Sequence, residues 1–255
     1  MCQQKEKQPF KDLFSSASEK YASFRPQYPP ELFIWLSSLV EKKELAWDCA
    51  TGNGQAAKHL AELFDRVIAT DPSSSQLQQA PEISNVEYRC ERAESPSIPE
   101  NSVDLITIAQ ALHWLEIDSF YEAVNKVLKP GGVISAIAYG LPEITPKIDA
   151  LIRHLHNEIL GQFWAYERRH VINLYRDIPF HFQPIPSPLF FIRATIDQQA
   201  LLGYLATWSA VIACRNKTGH DPLQLFSVEL EKDWPSNQAA IPISWKLACK
   251  TGKNR

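Results

Sequence analysis

The sequence has little glycine: there are 9 glycines among 255 residues, whereas average usage of about 7% predicts roughly 18. It also lacks clustered cysteines, because its five cysteines are far apart and include no Cys-x-x-Cys pair. This spacing argues against a disulfide framework and against a zinc site. We therefore expect free thiols and no bound metal.

Long runs of lysine and arginine are missing as well, and the formal net charge is −3. A nucleic-acid partner is therefore not expected, because phosphate backbones attract basic surfaces. The chain also has no stretch of about 18 apolar residues and no apolar signal core after Met1. These absences predict a cytoplasmic protein with no membrane association.

Apolar residues make up 45% of the chain and charged residues 22%, as in an ordinary globular protein. Between residues 29 and 137, helical periodicity alternates with short apolar runs, which is typical of βαβ units. Strands are predicted over 45–49, 66–70, 86–90, 103–109, 133–138, 189–196 and 241–250. Helices are predicted over 30–45, 55–64, 73–79, 120–128, 145–160, 197–213 and 222–232. The predicted fold is α/β: a Rossmann-like, doubly wound, mostly parallel seven-stranded sheet with helices on both faces.

Glycine and aromatic residues occupy different parts of the sequence. Aromatic residues are dense over 10–35 and 160–191, whereas the glycines before residue 150 fall mainly in two short runs. We predict four segments: an N-terminal flap over 1–35, a cofactor-binding Rossmann-like core over 36–140, a helical and aromatic cap insertion over 141–188, and C-terminal strands and helices over 189–255 that complete the same domain.

A two-glycine turn follows the first predicted strand and precedes a helix. Gly52 and Gly54 let a ligand approach bare backbone at the helix N-terminus. Asp71 ends the next strand, where a carboxylate can accept hydrogen bonds from two ribose hydroxyls. This pattern predicts a ligand that carries adenosine. A nicotinamide cofactor would also fit, but Asp48 would repel its pyrophosphate and instead suits the cationic S-adenosylmethionine.

The chain resembles the class I S-adenosylmethionine-dependent methyltransferases over about residues 20–140. The first motif of that superfamily is similar to 48–54, the second to 69–73 and the fourth strand to 101–106, while the Val-Leu-Lys-Pro-Gly-Gly run at 127–132 is the most specific match. The opening over 21–29 and the His113-Trp114 pair are similar to the methyltransferase type 11 group. The runs over 164–180 and 207–210 are similar to the subgroup related to trans-aconitate methyltransferases.

The resemblance implies S-adenosylmethionine as the cofactor and a small-molecule methyl acceptor. The residues expected to bind the cofactor are Tyr21, Arg25, Asp48, Ala50, Thr51, Gly52, Gly54, Gln55, Asp71, Pro72, Ala93, Glu94 and Gln110. Two positions depart from the family pattern, because Ala50 stands where glycine is usual and Arg92 where an aspartate commonly binds adenine. We expect binding to survive the first change, and adenine to be bound near Ala93 or by Glu94.

Methyl transfer from a sulfonium is an in-line displacement, so the protein mainly aligns the reactants and excludes water. A carboxylate acceptor needs only orientation, whereas a phenol, amine or carbon acid needs a base. His113 is the candidate base, with packing beside Trp114 as the alternative. The candidate substrate-binding residues are Tyr28, Trp114, Arg168 and Trp208, each of which has core packing or a solvated surface as its alternative.

The function predicted is methyl transfer to a small molecule, with a carboxylic acid as a candidate acceptor. The alternative is a non-catalytic S-adenosylmethionine-binding sensor or partner subunit. A nucleic-acid methyltransferase is disfavoured because the chain lacks a basic surface and an Asn/Asp-Pro-Pro-aromatic run that would hold a flipped base.

Overall fold

One sheet runs through residues 26–254, which are the part of the chain that this computed structural model describes. Within that range the sheet has eight strands. Their bounds are Leu45–Cys49 (β1), Arg66–Thr70 (β2), Val86–Arg89 (β3), Val103–Ala109 (β4), Leu128–Tyr139 (β5), Gln183–Ile185 (β6), Phe190–Ile196 (β7) and Ile241–Lys253 (β8).

The strand order is β3-β2-β1-β4-β5-β8, with β6 and β7 both paired to the outer edge of β8. The first five strands are parallel, and β8 is antiparallel to β5. This topology confirms the predicted Rossmann-like, mostly parallel sheet. The prediction of seven strands needs one correction, because two strands share the edge position and β6 lies inside the segment that was expected to form only a cap. Pro186 and Pro188 fall in the break between them, since proline has no N–H for the ladder.

The described helices lie between the strands and after β5. Their bounds are Pro30–Ser38 (α1), Gln55–Ala61 (α2), Ser74–Leu77 (α3), Ile117–Val127 (α4), Pro146–His154 (α5), Arg169–Ile172 (α6), Gln198–Ala206 (α7), Ser209–Thr218 (α8) and Leu223–Asp233 (α9). No helix within residues 26–254 is long and apolar enough to cross a membrane.

Two predicted helices differ from the observed ones in ways that matter for the site. The helix expected over 197–213 is divided into α7 and α8, because Thr207 donates its hydroxyl hydrogen back to the Tyr204 carbonyl and Trp208 is extended. The helix expected over 145–160 is α-helical only to His154. It continues as a π-helical turn over Leu155–Ile159, a local geometry that is frequent at functional sites.

The sheet separates two apolar cores. One core contains α1, α2 and the helices α7, α8 and α9, and the other contains α4 and the segment over 171–182. Because both faces are covered, every residue of β1 is buried, as in parallel sheets generally. Loops at the carboxyl ends of the strands therefore lie between helices from both layers.

Charged side chains hold the opposite end of the sheet together. Asp104 accepts hydrogen bonds from the backbone N–H groups of Glu44 and Leu45 through Oδ2, at 3.0 and 2.9 Å. Lys129 Nζ donates to Asp104 Oδ1 at 2.8 Å and to Glu44 Oε2 at 2.6 Å. This network joins the starts of β1, β4 and β5, so the loops at the carboxyl ends project from a braced sheet.

Candidate functional site

The candidate site lies at the carboxyl ends of β1, β2 and β4. In the sheet, β1 lies between β2 and β4, so the connections that leave β1 and its neighbour β4 lie on opposite faces of the sheet. Open α/β sheets bind ligands in the crevice at such a switch point. Asp48, Asp71 and Gln110 all stand at these strand ends.

Asp48 is a buried carboxylate inside β1. Its Oδ2 accepts a hydrogen bond from the Thr51 hydroxyl, and its Oδ1 accepts one from the Thr107 hydroxyl at 2.8 Å. Burial raises the pKa of Asp48 to about 6, although the two hydroxyl donors oppose this shift. Most of the carboxylate is therefore ionised at pH 7, and a nearby cation would stabilise it.

The turn after β1 contains three residues in the left-handed region: Ala50 with φ of 53°, Gly52 with 58° and Gly54 with 82°. A side chain on Gly54 would meet the Tyr88 hydroxyl, because a Cβ at this position would lie 2.9 Å from that oxygen. Ala50 occupies a conformation that normally favours glycine, at a cost of about 1–2 kcal/mol. The turn therefore keeps its shape despite one unfavourable residue, which indicates that its surroundings hold it.

Asp71 connects this turn to the end of β2. Its Oδ2 accepts a hydrogen bond from the Gly52 N–H at 2.9 Å, and its Oδ1 accepts one from the Ser73 N–H at 2.8 Å. A carboxylate oxygen can accept more than one hydrogen bond, so Asp71 is the type of acceptor that a pair of ribose hydroxyls requires. Pro72 is half-buried beside it, and Thr51 and Gln55 border the same turn.

Both carboxylate oxygens of Glu94 have partners within the protein. Its Oε1 accepts a hydrogen bond from the backbone N–H of Glu116 at 3.1 Å, just before α4, and its Oε2 pairs with Arg92 at 3.2 Å. Ala93 beside it is buried. Arg92 thus neutralises part of the Glu94 charge. Because both Glu94 oxygens already have partners, the Ala93 backbone is better placed than the Glu94 side chain to bind an adenine ring.

Gln110 contains an unusual polar atom. The residue has a φ of 55°, and its Nε2 donates to the Tyr139 carbonyl at 3.0 Å. Its Oε1 is buried and has no hydrogen-bond partner among residues 26–254. Leaving a buried acceptor unpaired costs about 1–3 kcal/mol. An ammonium group bound at the switch point would satisfy this oxygen, so the site fits the cationic amino-acid portion of the expected cofactor.

His113 lies in the short turn after β4 and is buried. Its Nδ1 is 3.0 Å from the Tyr175 hydroxyl oxygen, and its ring centroid is 4.6 Å from that of Trp114. Burial lowers the pKa of His113 to about 3, and the positive charge of Arg168 and the His170 ring contribute further. His113 is therefore neutral at pH 7. These contacts are compatible with both alternatives for His113, because it packs on Trp114 and also has a polar partner.

A group of rings surrounds Arg168 in the segment after β5. Arg168 Cζ lies 5.1 Å from the Trp164 ring centroid, and that ring is 5.5 Å from Trp208 and 4.8 Å from His156. Burial lowers the pKa of His156, as it does that of His113, and the charge of Arg168 adds to both shifts. The structure therefore brings three predicted residues, His113, Arg168 and Trp208, into one neighbourhood.

Sequence reasoning did not select Tyr175 as a partner of His113 or His156 as a neighbour of Trp164, whereas it did select Gln110 as a cofactor-binding residue. Tyr175 and His113 are 62 positions apart, so no local pattern could pair them. The signal that the sequence did contain was the presence of Tyr175 in the run over 164–180, which resembles the related methyltransferase subgroup. Within residues 26–254, no group of three His, Cys, Asp or Glu side chains is placed to bind a metal ion.

Tyr28 is buried beside the end of β5. Its ring packs edge-on against Phe33 and Tyr139, with centroids 6.2 and 6.3 Å apart. Since the Tyr139 carbonyl also holds Gln110, Tyr28 lies behind the switch point in the apolar core. Tyr21, Arg25 and most of the predicted flap lie outside the described residues.

Comparisons with known proteins agree with this geometry. A family model described as a methyltransferase domain matches residues 47–136, from β1 to β5. A protein of Dictyostelium discoideum named as a methyltransferase is 38% identical over 208 residues, which cover 80% of this chain and 79% of that protein. A Saccharomyces cerevisiae protein named as an S-adenosylmethionine-dependent methyltransferase is 29% identical over 145 residues, covering 52% of this chain and 49% of that one.

A solved structure gives a likeness over nearly the whole chain. It comes from Anaeromyxobacter dehalogenans and is described as a type II methyltransferase. It has a TM-score of 0.84 and 39% sequence identity, and the match covers 90% of this chain and 98% of that one. The similarity therefore includes the segments after β5 as well as the sheet.

Proposed function

This chain belongs to the class I S-adenosylmethionine-dependent methyltransferases, and we propose that it transfers the methyl group to a small carboxylic acid. The observation that carries the proposal is the position of Arg168. Its guanidinium lies over the Trp164 ring, and its charge reaches His113. A guanidinium beside apolar rings is a suitable partner for a carboxylate.

We assign the donor to the switch point. Asp71 would accept hydrogen bonds from the ribose hydroxyls, and the Ala93 backbone and Glu94 would contact the adenine. Gln110 Oε1 would accept a hydrogen bond from the methionine ammonium, which explains why this buried oxygen lacks a partner within residues 26–254. Asp48 would supply negative charge for the cationic donor from beneath the glycine turn.

The acceptor would enter from the side of Trp114, Arg168 and Trp208. Bound S-adenosylmethionine would supply an electrophilic methyl group, which the carboxylate oxygen would accept as the carbon–sulfur bond breaks, to give an ester and a neutral thioether. The negative and positive charges of the reactants both disappear in this step. Apolar rings around the reactants would favour such a reaction, because surroundings of low polarity favour the neutral products over the charged reactants.

Donor binding is tested by titration calorimetry with S-adenosylmethionine and with its demethylated product. Asp71→Ala should weaken binding at least tenfold, because it removes an acceptor for the ribose hydroxyls. Asp65→Ala is the matched control, since Asp65 is exposed and lies at the other end of β2. Equal affinity of the Asp71→Ala protein and the control would contradict the assignment.

Acceptor class is tested by comparing small carboxylic acids with the corresponding amides in a methyl-transfer assay. We expect turnover with acids only. Arg168→Met should raise the KM for an acid at least tenfold and leave donor affinity unchanged, since an ionic hydrogen bond contributes about 1.5–3 kcal/mol. Turnover of the amides would refute the acceptor class. Tight donor binding without any turnover would instead favour the sensor alternative.

A further inference from the structure

Tyr175 has an unusually constrained position next to the candidate site. The side chain is completely buried, and Leu174 and Tyr175 are consecutive residues in the left-handed region, with φ of 52° and 58°. Non-glycine residues rarely adopt this conformation, and two in succession are rarer still. Such backbone outliers often occur at functional positions.

Several bonds hold this backbone in place. The Tyr175 N–H donates to the His170 carbonyl at 2.7 Å. Lys250 Nζ, from β8, donates to the carbonyls of Tyr175 and Ile178, at 2.7 Å and 2.5 Å. A side chain of the sheet therefore holds the turn that presents the Tyr175 ring.

The hydroxyl of Tyr175 determines which nitrogen of His113 carries the hydrogen. A buried phenol needs an acceptor for its O–H. Within residues 26–254, the side-chain atom at hydrogen-bond distance is His113 Nδ1. Burial raises the pKa of Tyr175, so the phenol keeps its hydrogen at neutral pH, and the nearby backbone of Leu112 and His113 only partly opposes this shift.

If Nδ1 accepts, a neutral imidazole carries its hydrogen on Nε2. The depressed pKa of His113 agrees with the neutral form. Among residues 26–254, no side chain or backbone group is hydrogen bonded to Nε2. That nitrogen is then a donor, which cannot remove a proton from a substrate.

We propose that Tyr175 is a positioning residue that fixes His113 in the Nε2–H tautomer, so that His113 donates a hydrogen bond to the methyl acceptor instead of acting as a base. The inference rests on the proposed function, because the acceptor of that hydrogen bond is the substrate oxygen. It agrees with a carboxylate substrate, which is ionised already and needs orientation only.

The tautomer is measured directly by long-range proton–nitrogen correlation spectroscopy on the ¹⁵N-labelled protein, with the His113 signals assigned by their loss in His113→Gln. The expected result is an unprotonated Nδ1 and a protonated Nε2 in the wild type. In Tyr175→Phe this preference should be lost or reversed. A protonated Nδ1 in the wild type would overturn the proposal, and this readout requires neither donor nor acceptor.

Tyr121→Phe is the matched control. Tyr121 is also buried, and its hydroxyl donates to a backbone carbonyl, that of Pro179, at 2.8 Å. Loss of this bond should affect stability as Tyr175→Phe does, but it should leave the His113 signals unchanged. If both variants shift the His113 signals alike, the effect is general loosening of the fold and the positioning role is wrong.

Kinetics then separates donor from base. Glutamine can donate a hydrogen bond near Nε2 but cannot act as a base, so His113→Gln should keep kcat within about tenfold, and His113→Ala should lose more. A loss of at least a hundredfold in His113→Gln would indicate a base and overturn the proposal. Tyr175→Phe should lower kcat about tenfold with unchanged donor affinity. If donor binding itself is absent in the wild type, the proposed function fails, while the spectroscopic result still decides the tautomer.

Discussion

Replacing Asp48 by asparagine is expected to stabilise the protein without ligand and to weaken its binding of S-adenosylmethionine. The wild-type side chain is buried, and its pKa is raised from 3.8 to about 6 because burial disfavours the charged form. Folding above pH 6 therefore includes the cost of burying a charge. The amide removes that charge but keeps the shape of the side chain.

The magnitude follows from the pKa. Its shift of about 2 units corresponds to about 3 kcal/mol. Because the pKa of Asp48 is higher in the folded protein than in the unfolded chain, protonation of Asp48 favours folding by this amount below pH 3.8. The wild type loses that stabilisation as the pH rises through about 6, where the buried carboxyl group ionises. Asp48→Asn should therefore gain up to about 3 kcal/mol at pH 8 and about half as much at pH 5. The gain in the free energy of unfolding is an upper limit. The hydroxyls of Thr51 and Thr107 both donate to the carboxylate, and one of them must rotate to accept a hydrogen bond from the amide NH2 group of asparagine.

The measurement is urea unfolding of the unliganded protein at pH 5 and pH 8, with calorimetry of S-adenosylmethionine on the same samples. Donor affinity should fall by about tenfold or more, because an ionic interaction of about 1.5–3 kcal/mol is lost. Asp65→Asn is the control, since Asp65 is exposed. A variant that is less stable at pH 8 and binds the donor normally would refute the reasoning.

Three further substitutions test the turn and the brace of the sheet by the same unfolding measurement. Ala50→Gly should gain about 0.5–1 kcal/mol, because relief of the left-handed strain exceeds the added chain entropy; a loss would show that the strain is absent. Gly54→Ala should lose about 2 kcal/mol or more, part of which Tyr88→Phe in the same chain should restore by removing the oxygen next to the new Cβ. If Tyr88→Phe restores no stability, the contact with the Tyr88 hydroxyl is not the source of the loss. Lys129→Met should lose about 1–2 kcal/mol, because the buried Asp104 carboxylate loses its cation; an unchanged protein would show that backbone donors suffice.

The sheet core was predictable because its signals are local. The bounds of β1, β2 and β4 agree with the apolar runs at 45–49, 66–70 and 103–109, each of which ends at turn residues. The short strand β6 was not predictable, since Gln183–Ile185 has no apolar alternation and pairs only because β8 offers an edge. The end of α7 was also missed, because Thr207 interrupts a continuous helical pattern.

The sequence by itself determined the parallel sheet, the glycine turn after β1 and the acidic residues at the strand ends, because short-range periodicity and residue type specify them. Tertiary structure alone decided the pairing of His113 with Tyr175, the unpaired oxygen of Gln110 within residues 26–254 and the raised pKa of Asp48. Each of these depends on burial and on partners distant in the chain. Local pattern can place a chemical group at the edge of a sheet, but packing decides its charge, its tautomer and its remaining capacity to bind.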